Sequence, residues 1–264
     1  MSRRTPSRRR MLTLTVLRSS RLSPNFLRLT IGGPQLADFE YQGWDQCVRV
    51  FFRRPGQTDL RMPTRSNNGW AAQFYLMPAS SRPHVRNYTV RAFRPESLEL
   101  DVDFVIHGDG AAPTWAASAA PGEPVGIFDE GTMYQPGPRA RWQLLVADES
   151  GVPAALVIAE QTPTSLPTLL YLEVPTAQDI LPVQLSENVN IEWLPRESQH
   201  TNPGRLVLDI ASNVAVPAGS TSMFIAGESG LATGLRRHMI AVRGIPKSQV
   251  TFYGYWKRGR ASPG

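Results

Sequence analysis

The sequence predicts a β-barrel plus α/β architecture: an N-terminal antiparallel β-barrel followed by a smaller parallel-sheet α/β domain. Three observations carry that expectation. The 264 residues are too many for one small core and suit two domains of roughly 100–150 residues each. The first half alternates apolar and polar residues in short runs, and the 23 prolines and 21 glycines favour turns over a helical bundle. The second half switches to buried apolar runs separated by helical patterns.

In order along the first domain, residues 11–130, strands are expected near 11–18, 25–32, 47–53, 87–93 and 97–106, with a shorter one near 124–128. This set reads as an antiparallel barrel or sandwich. The Gly/Pro-rich "GTMYQPGPRAR" supplies a linker, residues 131–140. In the second domain, residues 141–264, "WQLLVAD" is a buried strand running into "ESGVPAALVIAEQ", where Pro153 suits the first turn of a helix. "TLLYLEV", "NIEWL" and "TSMFIAG" are further strands. After Gly227 a helix places Leu231, Leu235, Met239 and Val242 on one face, and "QVTFYGYW" closes the sheet. A parallel sheet of this kind binds ligands at the carboxyl ends of its strands.

The net charge of +6 belongs to the chain ends. Five arginines lie in residues 1–10 and three basic residues in "KRGR" at 257–260, so the body between them carries about −2. Residues 1–10 are expected to be a basic, disordered, solubilising arm, not a nucleic-acid contact. The apolar run "MLTLTVL" stops at Arg18, short of a signal peptide, and no 18-residue apolar run occurs. A cytoplasmic protein with no membrane partner is therefore expected. The single cysteine, Cys47, excludes an internal disulfide and a thiolate-rich metal centre; it reads as a small buried hydrophobe. His84, His107, His200 and His238 lack paired spacing for a metal site, and His238 reads as a solvated helix residue.

The densest hydrogen-bonding equipment lies in "RNYTVR", residues 86–91. In a regular strand Arg86 and Tyr88 share one face while Asn87, Thr89 and Arg91 share the other. An arginine and an aromatic at that spacing can hold a phosphate and pack against a flat ring of the same ligand. The hexapeptide alone reads more readily as a solvated edge strand. Downstream, "DFVIHGDGAAPTWAASAAPGEPVGI" ends a strand at His107, turns through Gly108, and starts a short helix after Thr114, whose amides would face an anion. The glycines of "GESGLATG" at 227, 230 and 234 fall short of a dinucleotide fingerprint, and turn glycines with Ser229 as a helix cap explain them as well.

These segments resemble the siderophore-interacting proteins, flavin-dependent ferric-chelate reductases of the ferredoxin-reductase-like superfamily. "RNYTVR" is similar to that family's Arg-x-Tyr-Thr flavin motif, and "HGDGAAPTWAASAAPGEPVGI" to its His-Gly-x-Gly…Trp-Ala…Pro-Gly-Asp segment. "ADESGVPA" and "AGESGLATGLRRHM…RGI…FYGYWKRG" resemble its Gly-Asp-Glu-Thr…Pro-Ala and closing segments. The matches run in the family's order over about residues 8–260.

The resemblance implies an FAD-binding barrel and an NAD(P)H-binding α/β domain. Arg86, Asn87, Tyr88 and Thr89 would hold the flavin portion, with Thr89 as the catalytic residue touching the reactive end of the ring. Alternation sets Thr89 opposite to Tyr88, so the strand must twist or end there. His107, Gly108, Thr114, Trp115 and Ala116 would hold the dinucleotide part. Glu228 and Trp256 would lie near the nicotinamide of NADH or NADPH. Arg49, at the family's lysine position, would join Lys257 and Arg258 in a positive pocket for a ferric siderophore, an anionic chelate. Asp129 and Glu130 in "FDEGTMY" depart from the family's pattern and would repel a pyrophosphate. The implied activity is an FAD-dependent ferric-siderophore reductase, monomeric, passing electrons from NAD(P)H to the chelate and releasing ferrous iron. Ferredoxin or flavodoxin as the donor, and a non-enzymatic module binding an anionic ligand, are the alternatives.

Overall fold

The computed structural model describes residues 3–7, 9–67, 69–106, 108, 110–197 and 202–259. The chain divides into two compact units, with the boundary between Thr132 and Met133.

Among its described residues the first unit contains strands β1 (Met11–Arg21), β2 (Phe26–Gly32), β3 (Cys47–Phe52), β4 (His84–Thr89), β5 (Ala92–Arg94), β6 (Glu99–Val105) and β7 (Pro124–Gly131), with helices α1 (Trp70–Leu76) and α2 (Ala111–Ser118). The strands form one antiparallel sheet in the order β4-β3-β7-β1-β2-β6-β5. The single strand expected over 87–93 is two strands, at opposite ends of that order. The chain bridges the two ends through consecutive amides: Val90 donates to the Gln46 carbonyl at 2.8 Å and Arg91 to the Asp101 carbonyl at 2.9 Å. The sheet therefore curls on itself.

Alternation along β1 turns Leu12, Leu14 and Val16 into a core shared with Leu29, Val48, Val50 and Val102. Ala112, Trp115 and Ala116 of α2 plug that core. The opposite face of β3 and β4 presents Phe51 and Val85 to Trp70 and Phe74 of α1.

Residues 1–10 were expected to be disordered, and the described part of them packs on the sheet instead. Arg4 and Thr132 exchange backbone hydrogen bonds of 2.8 and 3.0 Å, extending the pairing beyond β7. Ser7 donates to Glu40, and Arg10 pairs with Asp38 at 2.6 Å. The close approach needs Gly131: its φ is +77°, and a Cβ there would lie 2.0 Å from the Arg4 carbonyl oxygen.

Among the described residues of the second unit, β8 (Trp142–Ala147), α3 (Val152–Glu160), β9 (Thr168–Val174), β10 (Val189–Pro195), α4 (Arg205–Ser212), β11 (Thr221–Glu228), α5 (Ser229–Ala241) and β12 (Val250–Trp256) build a parallel sheet ordered β10-β9-β8-β11-β12. Central β8 is buried throughout, which is why it reads as a continuous apolar run. Tyr134, inside the expected linker, is fully buried and its hydroxyl hydrogen-bonds Gln143 and Ser222, so this part of the linker belongs to the second core. Helix α4, not foreseen, buries Val207 and Ala211. On α5, Leu231, Leu235 and Met239 are buried, whereas Val242 lies past the last turn and is 69% exposed. No helix among the described residues is long and apolar enough to cross a membrane.

Candidate functional site

Strand β4 is an edge strand paired with β3, setting Val50 against Arg86, Arg49 against Asn87, Val48 against Tyr88 and Cys47 against Thr89. Pleating places His84, Arg86 and Tyr88 on one face. Arg86 is half-buried and its guanidinium donates to the Val85 carbonyl at 2.7 Å. The Tyr88 ring lies 4.2 Å from that of Phe104, and burial pushes its phenol above the ordinary value, so it stays neutral. Asn87 is exposed on the other face, and Thr89 is buried there as the last residue of the strand. The strand ends at Thr89 because Val90 and Arg91 are drawn into the closure of the sheet.

His107 lies outside the described residues. Gly108 is in the left-handed region at φ +60°, with open space around it. Helix α2 starts at Ala111, four residues before the expected position, so the Thr114 amide is already bonded to the Gly110 carbonyl at 3.0 Å. The amides facing outwards are those of Ala111 and Ala112, since Pro113 has none. Ala116 is fully buried on the inner face of α2 and is a core residue, which removes its side chain from a cofactor contact. Trp115 is buried, stacks on Phe52 at 4.8 Å and approaches Phe104 at 5.9 Å. Its indole N–H has no hydrogen-bond partner among the described residues.

Beside Trp115 lies a cavity of about 550 Å³, lined among others by Arg53, Arg54, Gln57, His84 and Thr114. Arg53 is held by both carboxylate oxygens of Glu123, at 3.0 and 2.6 Å. Arg54 keeps a buried Nε without a partner among the described residues. Burial, and then the charges of Arg54 and Arg86, push the His84 imidazole below its ordinary value.

The acids expected to crowd the cofactor are occupied elsewhere. Asp129 accepts from Gln46 and from the Gly131 amide, both at 2.8 Å, while burial still pushes its carboxyl up to about 6. Glu130 is buried and holds three guanidiniums, those of Arg3 at 2.9 Å, Arg9 at 2.6 Å and Arg49 at 2.7 Å. Arg49 also lies over the Trp70 ring at 4.8 Å. The cation expected to face a substrate freely is thus matched in part by Glu130. Burial and the charges of Glu130 and Asp45 push the Cys47 thiol up to about 12, so it stays protonated.

In the second unit, Glu228 and Trp256 come together at the ends of β11 and β12. Glu228 itself caps α5, accepting from the Gly230 amide, and its other oxygen accepts from the Arg258 amide at 3.2 Å. Ser229, expected as the cap, donates instead to the Trp256 carbonyl at 2.8 Å. Asp148, fully buried, takes the Glu228 amide at 2.5 Å and the Trp256 indole N–H at 3.3 Å. Gly227 permits this: at φ +146° a Cβ would lie 2.5 Å from the Asp148 carboxyl carbon. Burial and the neighbouring Glu149 charge push Asp148 up to about 7. Lys257 and Arg258 are exposed. His238 is half-buried, not solvated.

Sequence reasoning passed over His84, Arg54 and Asp148. His84 had a readable signal, standing two residues before Arg86 on the same face. The donors left over around Arg54 and Trp115, beside the Arg86–Tyr88 face, fit a ligand that combines phosphates with flat rings, as a flavin dinucleotide does.

Comparison with known proteins agrees with that arrangement. Residues 15–133 match the siderophore-interacting FAD-binding domain, and residues 140–259 match the siderophore-interacting protein domain. The chain is 31% identical over 254 residues to the ferric vibriobactin reductase ViuB of Vibrio cholerae, covering 94% of this chain and 89% of that protein. It is 31% identical over 253 residues to an NADPH-dependent ferric-chelate reductase of Escherichia coli, covering 94% and 93%. A siderophore utilization protein from T. fusca superposes with a TM-score of 0.84 at 27% identity, covering 98% of this chain and 97% of that one. The chain belongs to the siderophore-interacting protein family, with an FAD-binding first domain.

Proposed function

We propose that this protein is a cytoplasmic reductase of ferric siderophores that uses FAD to draw electrons from NADH or NADPH and releases ferrous iron. The observation that carries the reading is the β4 face: Arg86 and Tyr88 stand together on an edge strand that ends at Thr89, next to a cavity with unpartnered donors. FAD, when bound, supplies the conversion between two-electron donors and one-electron acceptors. Arg86 holds a phosphate, Tyr88 offers a neutral ring braced by Phe104, and Thr89 stands at the reactive end of the strand. Asn87 lies on the opposite face of β4, and Gly108 lies in the turn before α2.

In the second unit Glu228 and Trp256 form the donor site, and Asp148 fixes both of them. Lys257 and Arg258 are exposed cations that attract an anionic chelate. In the first unit Arg3, Arg9 and Arg49 outnumber Glu130 by three charges to one.

The test is spectroscopic. The purified protein is expected to be yellow, to bleach anaerobically under NADH or NADPH, and to regain colour on addition of a ferric siderophore while ferrous iron appears. A colourless protein that takes up no flavin defeats the reading. Bleaching by reduced ferredoxin or flavodoxin alone would reassign the donor. Replacing Arg49, Lys257 and Arg258 by glutamine should raise the half-saturating chelate concentration and flatten its salt dependence, while bleaching by the nicotinamide stays the same.

A further inference from the structure

The carboxyl ends of β8, β9 and β10 gather acids to which the donor reading gives no task. The register sets Ala147 level with Leu172 and Leu194 level with Glu173, so the residues that follow β8 and β10 meet at the end of β9. There Arg196 donates to both oxygens of Glu149, at 2.8 and 3.0 Å, and to Glu173 at 2.7 Å. Glu173 also accepts from the Gly204 and Val207 amides at the start of α4, at 2.7 and 2.9 Å. Glu197 stands exposed at the rim, its carboxylate accepting from the Ala177 amide at 2.8 Å.

The neighbours Asp148 and Glu149 divide the strand ends between them. Asp148 binds the Glu228 amide and the Trp256 indole at the ends of β11 and β12, whereas Glu149 binds Arg196 beside β9 and β10. In the sheet β12 and β9 are three strand spacings apart, about 14 Å. A dinucleotide lies across the carboxyl ends of a sheet of this order, so one with its nicotinamide at Glu228 and Trp256 brings its adenosine ribose to the ends of β9 and β10. NADH and NADPH differ only at that ribose, by a 2′-phosphate.

A fold can hold such a phosphate with a guanidinium or with the amides of a helix N-terminus. Both are present at this corner, and the chain's own carboxylates occupy both. Arg196 is engaged by Glu149 and Glu173, the Gly204 and Val207 amides are engaged by Glu173, and Arg205 is paired with Asp209 at 2.9 Å. Glu149, Glu173 and Glu197 outnumber Arg196 by three charges to one. A 2′-phosphate here meets like charge, whereas a 2′-hydroxyl can donate to a carboxylate.

We propose that the electron donor is NADH and not NADPH, and that Glu149, Glu173 and Glu197 set this choice. The inference rests on the nicotinamide reading of the donor site. Glu197 acts from the rim, while the buried Glu149 and Glu173 keep Arg196 from a phosphate. No motif announces the three acids, because they come from the ends of three different strands.

The test compares the two nicotinamides on the flavin-loaded full chain by anaerobic bleaching. At low donor concentration NADH should bleach the flavin roughly 10-fold faster than NADPH or more, and the difference should lie in the half-saturating concentration, since the 2′-phosphate is remote from the hydride. Added salt should narrow the gap. Glu197→Gln should narrow it by about threefold or more, on the scale of one screened charge, and Glu149→Gln/Glu197→Gln should narrow it further. ADP carrying an added 2′-phosphate should compete with NADH more weakly than ADP does. Glu192→Gln, which removes an exposed charge of β10, should leave the ratio of the two donors as it is.

Equal bleaching by the two donors, or a preference for NADPH, overturns the proposal and leaves the donor reading standing. A preference for NADH that survives both Glu197→Gln and the double variant also overturns it, because the choice then lies with other residues. If the double variant does not fold, Glu197→Gln and the salt series on the wild type give the same decision. A flavin-loaded chain that neither nicotinamide bleaches overturns the proposal together with the donor reading.

Discussion

Arg196, just past β10, and Arg86, within β4, are both half-buried guanidiniums, yet they are used in opposite ways. Arg196 lies between Glu149 at 2.8 Å and Glu173 at 2.7 Å. Glu173 also accepts from the Gly204 and Val207 amides at the start of α4, at 2.7 and 2.9 Å. Asp148 is likewise filled, by Ser150, the Glu228 amide and Trp256. Along β4, Arg86 bonds its neighbour's carbonyl, and Arg54 and Trp115 retain buried donors without partners among the described residues. The first network satisfies itself and sets the shape of the strand ends. The second leaves donors that no described residue satisfies.

The contrast breaks most directly at Arg196. Arg196→Met strands Glu149 and Glu173 as buried acids without their cation, and the unfolding free energy should fall by about 3–5 kcal/mol in urea titration. A loss below about 1 kcal/mol would mean that this network is not the scaffold described above. Arg86→Ala is the opposite case. FAD affinity should drop roughly 10- to 150-fold, equivalent to about 1.5–3 kcal/mol, with little change in the stability of the cofactor-free chain. An equal loss in cofactor-free stability would place Arg86 in the scaffold class.

Asp148 sharpens the comparison through pH. Its carboxyl is raised to about 7 from an ordinary value of 3.8, so the folded chain holds the extra proton between those limits. Stability contributed by this group therefore declines as pH rises from about 4 to about 7 and is flat above, with a slope of at most about 1.4 kcal/mol per pH unit. Asp148→Asn should remove that slope in melting temperatures measured from pH 5 to 8. An unaltered slope would assign it to other groups, such as Asp129, which acts with the same sign up to about pH 6.

The smallest effect is expected at the N-terminal segment. Deleting residues 1–7 removes the Arg4–Thr132 pairing and the Arg3–Glu130 contact but leaves Arg9 and Arg49 on Glu130. Partly exposed contacts of this kind are worth about 1 kcal/mol together, so the melting temperature should fall by a few degrees without loss of FAD. A loss of flavin on deletion would show that the segment also braces the β4 region through Arg49.

The sequence by itself determined the two-part architecture, because period-two alternation and continuous apolar runs are local consequences of strands buried on one face or on both. It also determined the Arg86–Tyr88 pairing, since side chains two residues apart share a strand face wherever the strand lies. Glu228 and Trp256 were legible only through the resemblance, as nothing local relates residues so far apart. The tertiary structure alone decided where β4 ends, because the Val90 and Arg91 amides find Gln46 and Asp101 across the closing sheet. It moved the start of α2 to Ala111 and so turned Ala116 into the core. It gathered Arg3, Arg9 and Arg49 around Glu130, and it gave Glu123 to Arg53 while no acid among the described residues pairs with Arg54. Whether a charge is matched depends on which distant groups the fold brings within a few ångströms, and no local pattern carries that information.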